Sequence, residues 1–265
     1  MPTLKLGDRG LSYDDVGDGP PVVLLHGVLA HRGVFGRLAD RLAAERRVIN
    51  VDLRGHGASG PAEDYEIGSF SDDLERLLDA LDLPAVTLLG WSMGGAIAID
   101  FALRFPARVR QLVLVATTPA LTQREDWAPA IPAAEAAHLI DLFGSDWDAG
   151  TAAFSAQAVH DATTAERARY LEMARASDPA VSLKCLAAVG GADLRPRLRR
   201  AEMPVAVLSG AQDRICPTGA SEYLATALGG ELHVIPASGH APFLTAPEAF
   251  DAALDRVLRD GSRVR

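Results

Sequence analysis

The 265-residue chain has two cysteines, Cys185 and Cys216, far apart and outside any ligand-spaced motif. A disulfide framework is therefore not expected, and both thiols are read as reduced, in a cytoplasm-like (cytoplasmic) compartment. Basic charge is also short: 26 Lys and Arg against 35 Asp and Glu give a net charge of −9 at pH 7. That balance excludes nucleic acid and anionic membrane surfaces as expected partners. No run approaches the ~20 apolar residues of a membrane helix, and the longest, "PPVVLLHGVLA", is broken by Pro, His and Gly. The start, "MPTLKLGDRG", lacks the apolar stretch of a signal peptide. There is no G-x-G-x-x-G after the first strand and no H-E-x-x-H, so neither a nucleotide nor zinc is indicated, and no cofactor or metal is expected.

What is present is a rhythm. A composition 48% hydrophobic supports a sizeable core, as one large domain or one domain with an insertion. "TLKL" and "LSYDDV" read as a short hairpin around "GDRG". "PVVLLHG", "RVINVDL", "VTLLGW", "VRQLVLVAT", "PVAVLSG" and "ELHVIPA" read as buried strands. Between them, "VFGRLADRLAA", "SFSDDLERLLDALDL", "MGGAIAIDFALRF", "TGASEYLATAL" and "PEAFDAALDRVLR" carry helical spacing. Ser69 is placed to cap the second of these, with Leu74, Leu77, Leu78 and Leu81 on one face. The alternation predicts an α/β fold, a mostly parallel central sheet with helices on both faces. Residues 119–191 break the rhythm with helix-like stretches and no convincing strand, and their five Lys/Arg against ten Asp/Glu give −5. They read as a helical cap inserted between two core segments, 1–118 and 192–265.

Gly90-Trp91-Ser92-Met93-Gly94 fits G-x-S-x-G between a buried strand and a helix. A serine at such a turn needs a strained backbone. Side chains two positions before or after it would collide with neighbouring elements. The hydroxyl then stands clear, near the positive end of the following helix. Ser92 is thus the candidate nucleophile, and it needs a base. Among seven histidines, His240 in "ASGHAPF" is best placed, after the last predicted strand. His26 and His56 read as loop-shaping residues. The base needs an acid to fix its tautomer. Asp213 in "LSGAQDRICP" lies past a strand and upstream of His240; Asp52 also ends a strand but precedes the serine. The oxyanion donors are expected to be the backbone N–H groups of Met93, next to the nucleophile, and Val28, after the "VVLLHG" strand. The wall over Ser92 should be apolar, with Trp91, Trp127, Phe143, Phe154 and Phe243 as candidates to line it.

With "LLHG", "DLRGHGAS", "GWSMGG", "GAQDRICP" and "GHAPF" in this order, the chain resembles the α/β-hydrolase superfamily over essentially its full length. The resemblance implies an α/β-hydrolase fold, a catalytic triad Ser92–Asp213–His240, and a carboxylesterase-type hydrolase. "GWSMGG", "TTPALTQREDW", "ADLRPRL" and "GHAPFLTAPEAF" are similar to the pimeloyl-[acyl-carrier protein] methyl ester carboxylesterase group. Those esterases imply an acyl carrier protein as partner. The cap charge of −5 disfavours it here, and Val28 stands where the group is expected to carry a bulky aromatic. "RGHGAS" and "SMGGAIA" are also similar to 3-oxoadipate enol-lactonases. The reading is therefore a serine esterase acting through an acyl-enzyme on small or medium-chain esters, with a lactone hydrolase as the alternative. Readings from other classes are a small-molecule receptor and a cofactor-free perhydrolase or oxygenase on the same fold.

Overall fold

The computed structural model describes residues 2–6 and 9–260; Gly7 and Asp8 of the expected "GDRG" turn lie outside the described residues. Eight strands form one sheet: β1 (Thr3–Leu6), β2 (Arg9–Val16), β3 (Pro21–Leu25), β4 (Arg47–Val51), β5 (Val86–Trp91), β6 (Val109–Val115), β7 (Val205–Gly210) and β8 (Glu231–Ile235). Their spatial order is β1-β2-β4-β3-β5-β6-β7-β8. β1, β2 and β4 pair antiparallel, and every pair from β4 through β3 to β8 is parallel. β5 and β7 are buried at every position, as helices on both faces require of a parallel sheet.

The helices follow the apolar spacing. α1 is Gly36–Leu42, α2 is Ile67–Ala80 and α3 is Met93–Arg104, which ends before Pro106. α2 opens three residues, nearly one turn, earlier than the serine signal suggests. Glu66 stands at its cap position without a side-chain bond, Ile67 and Phe70 are buried, and Ser69 is inside the first turn. The carbonyl of Ser69 accepts instead from Arg54 at 2.5 Å. Burial of two large apolar side chains therefore sets this start, not the capping hydroxyl. Between β6 and β7 come α4 (Ala133–Ser145), α5 (Trp147–Ala158), α6 (Thr164–Arg175) and α7 (Pro179–Gly191). This stretch adds no strand to the sheet; isolated bridges join Thr122 to Ile131 and Arg124 to Trp127. α8 (Thr218–Leu228), α9 (Pro242–Thr245) and α10 (Pro247–Asp260) complete the described residues. Among the described residues, no helix is long and apolar enough to cross a membrane.

The loops leaving β3 and β4 are fixed by buried polar groups. Asp52 accepts from the Arg32 backbone N–H at 2.8 Å, the Ala58 N–H at 2.8 Å and the Arg32 guanidinium. The His26 ring accepts from the Leu53 N–H at Nε2, 3.0 Å, so the proton sits on Nδ1 and is donated to the Gly27 carbonyl at 2.8 Å. His56 packs edge-on to His26, ring centroids 5.1 Å apart. Burial, then the proximity of His56, holds His26 well below the usual histidine range; burial also lowers His56. Both histidines are neutral scaffolding, as the sequence suggests.

Asp52→Ala removes the buried carboxylate that meets the Arg32 guanidinium, and should cost about 3–5 kcal/mol in urea unfolding; a loss below about 1 kcal/mol would contradict the role given to Asp52. The unfolded chain protonates His26 and His56 near 6.5, whereas the folded chain resists. Their contribution is therefore intact above that pH and is lost as pH falls below it. His56→Gln should flatten the decline of unfolding free energy between pH 7 and 5, by up to about 1.4 kcal/mol per pH unit; an unchanged slope would show that His56 takes no part.

Candidate active site

β3 is the strand about which the sheet is wound, with β4 on one side and β5 on the other. Loops leaving β3 and β5 diverge there and open a crevice beyond the carboxyl ends of the strands. Leu25 pairs with Gly90, which sets the segment from His26 to Val28 beside Ser92. Ser92 comes directly after β5 and has φ 54° and ψ −119°, a strained conformation for a residue with a side chain. A Cβ on Gly90 would lie 2.2 Å from the Gly94 carbonyl oxygen, and one on Gly94 would lie 2.1 Å from that of Leu25. The two glycines flanking Ser92 are thus demanded by backbone-to-backbone approach.

The Ser92 peptide is held by the last residue of β6 and by a threonine just past it. Its N–H donates to the Val115 carbonyl at 3.0 Å, and its carbonyl accepts from Thr117 Oγ1 at 2.7 Å. α3 begins at the next residue, so the positive end of that helix lies at the serine.

The carboxyl ends of β7 and β8 supply the partners. Asp213 Oδ1 accepts from the Ile215 and Cys216 N–H groups at 2.8 and 2.9 Å. The same carboxylate meets His240 Nδ1 at 2.9 and 3.1 Å. Asp213 is therefore both a turn-forming residue and the partner of His240. Asp52, occupied with Arg32 and Ala58, is not. His240 is buried, its Nε2 takes no hydrogen bond, and its carbonyl accepts from the indole N–H of Trp91 at 2.7 Å. With Nδ1–H directed at Asp213, the lone pair on Nε2 is left to take up a proton.

Cys216, Asp213 and His240 bring ligand atoms within 4.8 Å of one another. Burial, and then the charge of Asp213, push the Cys216 thiol well above its ordinary range. That favours a protonated, neutral thiol packed against the Asp–His pair, whose own donor atoms already face each other.

Val28 and Met93 are buried, and neither N–H donates to another described residue. Both residues line, with Ser92, a cavity of about 60 Å³. Its other walls come from Thr117, Thr118, Leu121, Ile131, Leu139, Phe143, Phe154, Leu186, Val189 and Cys216, among others, and no charged residue is among them. Of the five aromatics expected over Ser92, Phe143 and Phe154 line the cavity. The other three do not. Trp91 is buried beneath the elbow against Phe35, Tyr170 and Phe243. Phe243 continues that stack to Phe250. Trp127 packs on Tyr223 of α8, with Arg195 over its ring. Each of the three fills a seam between elements, where a large ring buries more area than at a wall.

Thr117 and Cys216 are site residues that no motif in the sequence singles out. Thr117 lies just past β6 at the same end of the sheet as the other site residues, and Cys216 is three residues past Asp213. Their positions relative to the strands are the signal that could mark both.

The model of the alpha/beta hydrolase fold family matches residues 20–247. The pimeloyl-[acyl-carrier protein] methyl ester esterase of Nitrosomonas europaea is 34% identical over 253 residues, 92% of this chain and 98% of the relative. The enzyme of the same name from Chromobacterium violaceum is 36% identical, covering 92% of this chain and 96% of its own. Among solved structures, the esterase EaEST from Exiguobacterium antarcticum superposes with a TM-score of 0.89 at 27% identity, over 94% of this chain and 96% of that one. The chain belongs to the α/β-hydrolase family and is a carboxylesterase-type hydrolase.

Proposed function

We propose that this α/β-hydrolase cleaves small or medium-chain carboxylic esters through an acyl-enzyme on Ser92. The observation that carries the reading is the set of partners at the carboxyl end of the sheet: Ser92 on its strained turn, and His240 held by Asp213 with Nε2 unpartnered. His240 takes the Ser92 proton as the oxygen attacks the ester carbonyl. The Val28 and Met93 N–H groups hold the oxyanion. The alcohol leaves with the proton returned by His240. Water, deprotonated by His240, then releases the acid and restores Ser92. Asp213 keeps the imidazole in the tautomer this requires.

The cavity lining supports an uncharged acyl group, since a carboxylate there would find no cation. This disfavours a charged lactone of the oxoadipate type. The curated relatives are named for an acyl-carrier-protein-linked ester. Here residues 119–191, which we take as a cap over the site, carry a net −5. Three of their four arginines are engaged locally. Arg175 pairs with Asp148 at 3.1 Å, Arg124 bonds the Gly191 carbonyl and faces Asp193, and Arg167 bonds the Ala162 carbonyl at 3.0 Å. Free esters of small alcohols are therefore the preferred substrates, and carrier-bound esters the poor ones.

Ser92→Ala should lose roughly 10⁴-fold or more in kcat, and His240→Ala should match it because the two act as a unit. Asp213→Asn should be severe through a wrong tautomer. A fluorophosphonate should label Ser92. Near-normal turnover in Ser92→Ala, or turnover only when peroxide or oxygen is supplied, would refute the ester mechanism; saturable binding without turnover would favour a receptor.

A panel of p-nitrophenyl esters, free methyl esters, lactones and one carrier-bound methyl ester, compared by kcat/KM, tests the substrate class. Free neutral esters should lead, with rates nearly independent of salt. A carrier-bound ester that leads the panel and slows as salt rises would overturn the preference and reveal a basic docking surface.

A further inference from the structure

The loop that delivers His240 is tied to the cap by one carboxylate. Gly239, immediately before His240, donates its N–H to Asp161 Oδ2 at 2.7 Å. Asp161 belongs to the short connection between α5 and α6. Its carboxylate is 9% exposed, and its other oxygen, Oδ1, is buried without a hydrogen bond, 3.8 Å from His160 Nδ1. The contact is close-packed: a Cβ on Gly239 would lie 2.7 Å from the His160 ring and 2.9 Å from Asp161 Oδ1. α6 fixes this connection in turn, since Arg167 donates to the Ala162 carbonyl at 3.0 Å and to that of His160.

The remaining anchors of the loop come from the core. Gln212 N–H donates to the Ser238 carbonyl at 2.8 Å, the Ser238 and Thr245 hydroxyls meet at 3.0 Å, and Trp91 bonds the His240 carbonyl. Ala237 sits at φ 53°, outside the ordinary range for a residue with a side chain. A strained segment keeps its shape only where its surroundings over-determine it. Asp161 is the side-chain anchor that comes from the cap, and the preceding helix of the cap, α5, carries the cavity-lining Phe154.

We infer that Asp161 is a positioning residue that registers the His240 loop to the cap, so that the imidazole is aligned when α5 and α6 are seated over the cavity. This rests on His240 being the base. Asp161 touches neither substrate nor the reacting atoms; it acts through the Gly239 peptide. A carbonyl oxygen at the same place can still accept that N–H, whereas an apolar side chain leaves it buried and unpaired.

The test compares wild type, Asp161→Ala, Asp161→Asn and His240→Ala on a p-nitrophenyl ester. Asp161→Ala should lower kcat tenfold or more with KM within twofold. Asp161→Asn should restore kcat to within threefold of wild type. In proton NMR, the downfield Nδ1–H signal of His240 should be present in wild type and Asp161→Asn, and broadened or lost in Asp161→Ala. If Asp161→Ala does not fold, Asp161→Leu keeps the volume, loses the acceptor and carries the same expectation. A kcat within twofold of wild type in the apolar variant, an effect confined to KM, or an Asn variant as impaired as the apolar one would each overturn the inference. Near-normal activity in His240→Ala would instead overturn the base assignment beneath it.

Discussion

The site depends on one backbone constraint: a serine at φ 54° at the point where β3, β5 and α3 come closest. A residue with a side chain adopts that conformation at a cost of order 1–3 kcal/mol, so the surroundings must impose it. They do so through main-chain approach. The Gly94 Cα faces the Leu25 carbonyl so closely that a methyl group there would overlap it, and the Gly90 Cα meets the carbonyl of Gly94 in the same way. The N–H of Ser92 continues the β5–β6 ladder one step past its end, to Val115. Strand pairing, helix start and serine conformation are therefore one arrangement, and relaxing any one of them would release the others.

The same arrangement explains why the donors expected at the oxyanion are backbone groups. The chain that blocks a side chain at Gly94 is the end of β3, and its continuation is Gly27 and Val28. His26 braces this turn from below by accepting from Leu53 and donating to Gly27. A charged imidazole could not do both, because it has no acceptor. Burial in a neutral state is thus a structural requirement at His26, and burial itself supplies the lowered pKa that meets it.

The sheet and the serine turn are legible in sequence because their determinants are local. Continuous β-branched runs specify strands buried on both faces, and five consecutive residues carry the elbow. Asp213 and His240 are legible because each lies just past a strand, and parallel strands bring their carboxyl ends together. The start of α2 is not, since Ser69 offers a local cap but Ile67 and Phe70 are buried by a start three residues earlier. Trp91, Trp127 and Phe243 mislead for the same reason in three dimensions. A large ring close in sequence to a reactive residue says nothing about which side of the backbone it fills. Asp161 is invisible in sequence, because its partner is a backbone N–H 78 residues away.

Chemistry and specificity are thereby divided between two parts of the chain. Ser92, Asp213 and His240 lie past the carboxyl ends of β5, β7 and β8 of one sheet, so the strands rather than the helices between β6 and β7 set their main positions. The cavity wall has no such protection. It is assembled from residues between Val28 and Cys216, in loops past the strands, on α3, α4, α5 and α7, and on the connection before α4. Its selectivity rests on volume and on the absence of charge. Shifting α4, α5 or α7 would reshape the cavity without moving Ser92. The Asp161–Gly239 bond is one place where the two parts meet, since it joins the connection between α5 and α6 to the residue immediately before His240. Under the proposed mechanism, fit and proton transfer are read out together: an acyl group that unseats α5 would also disturb the His240 imidazole.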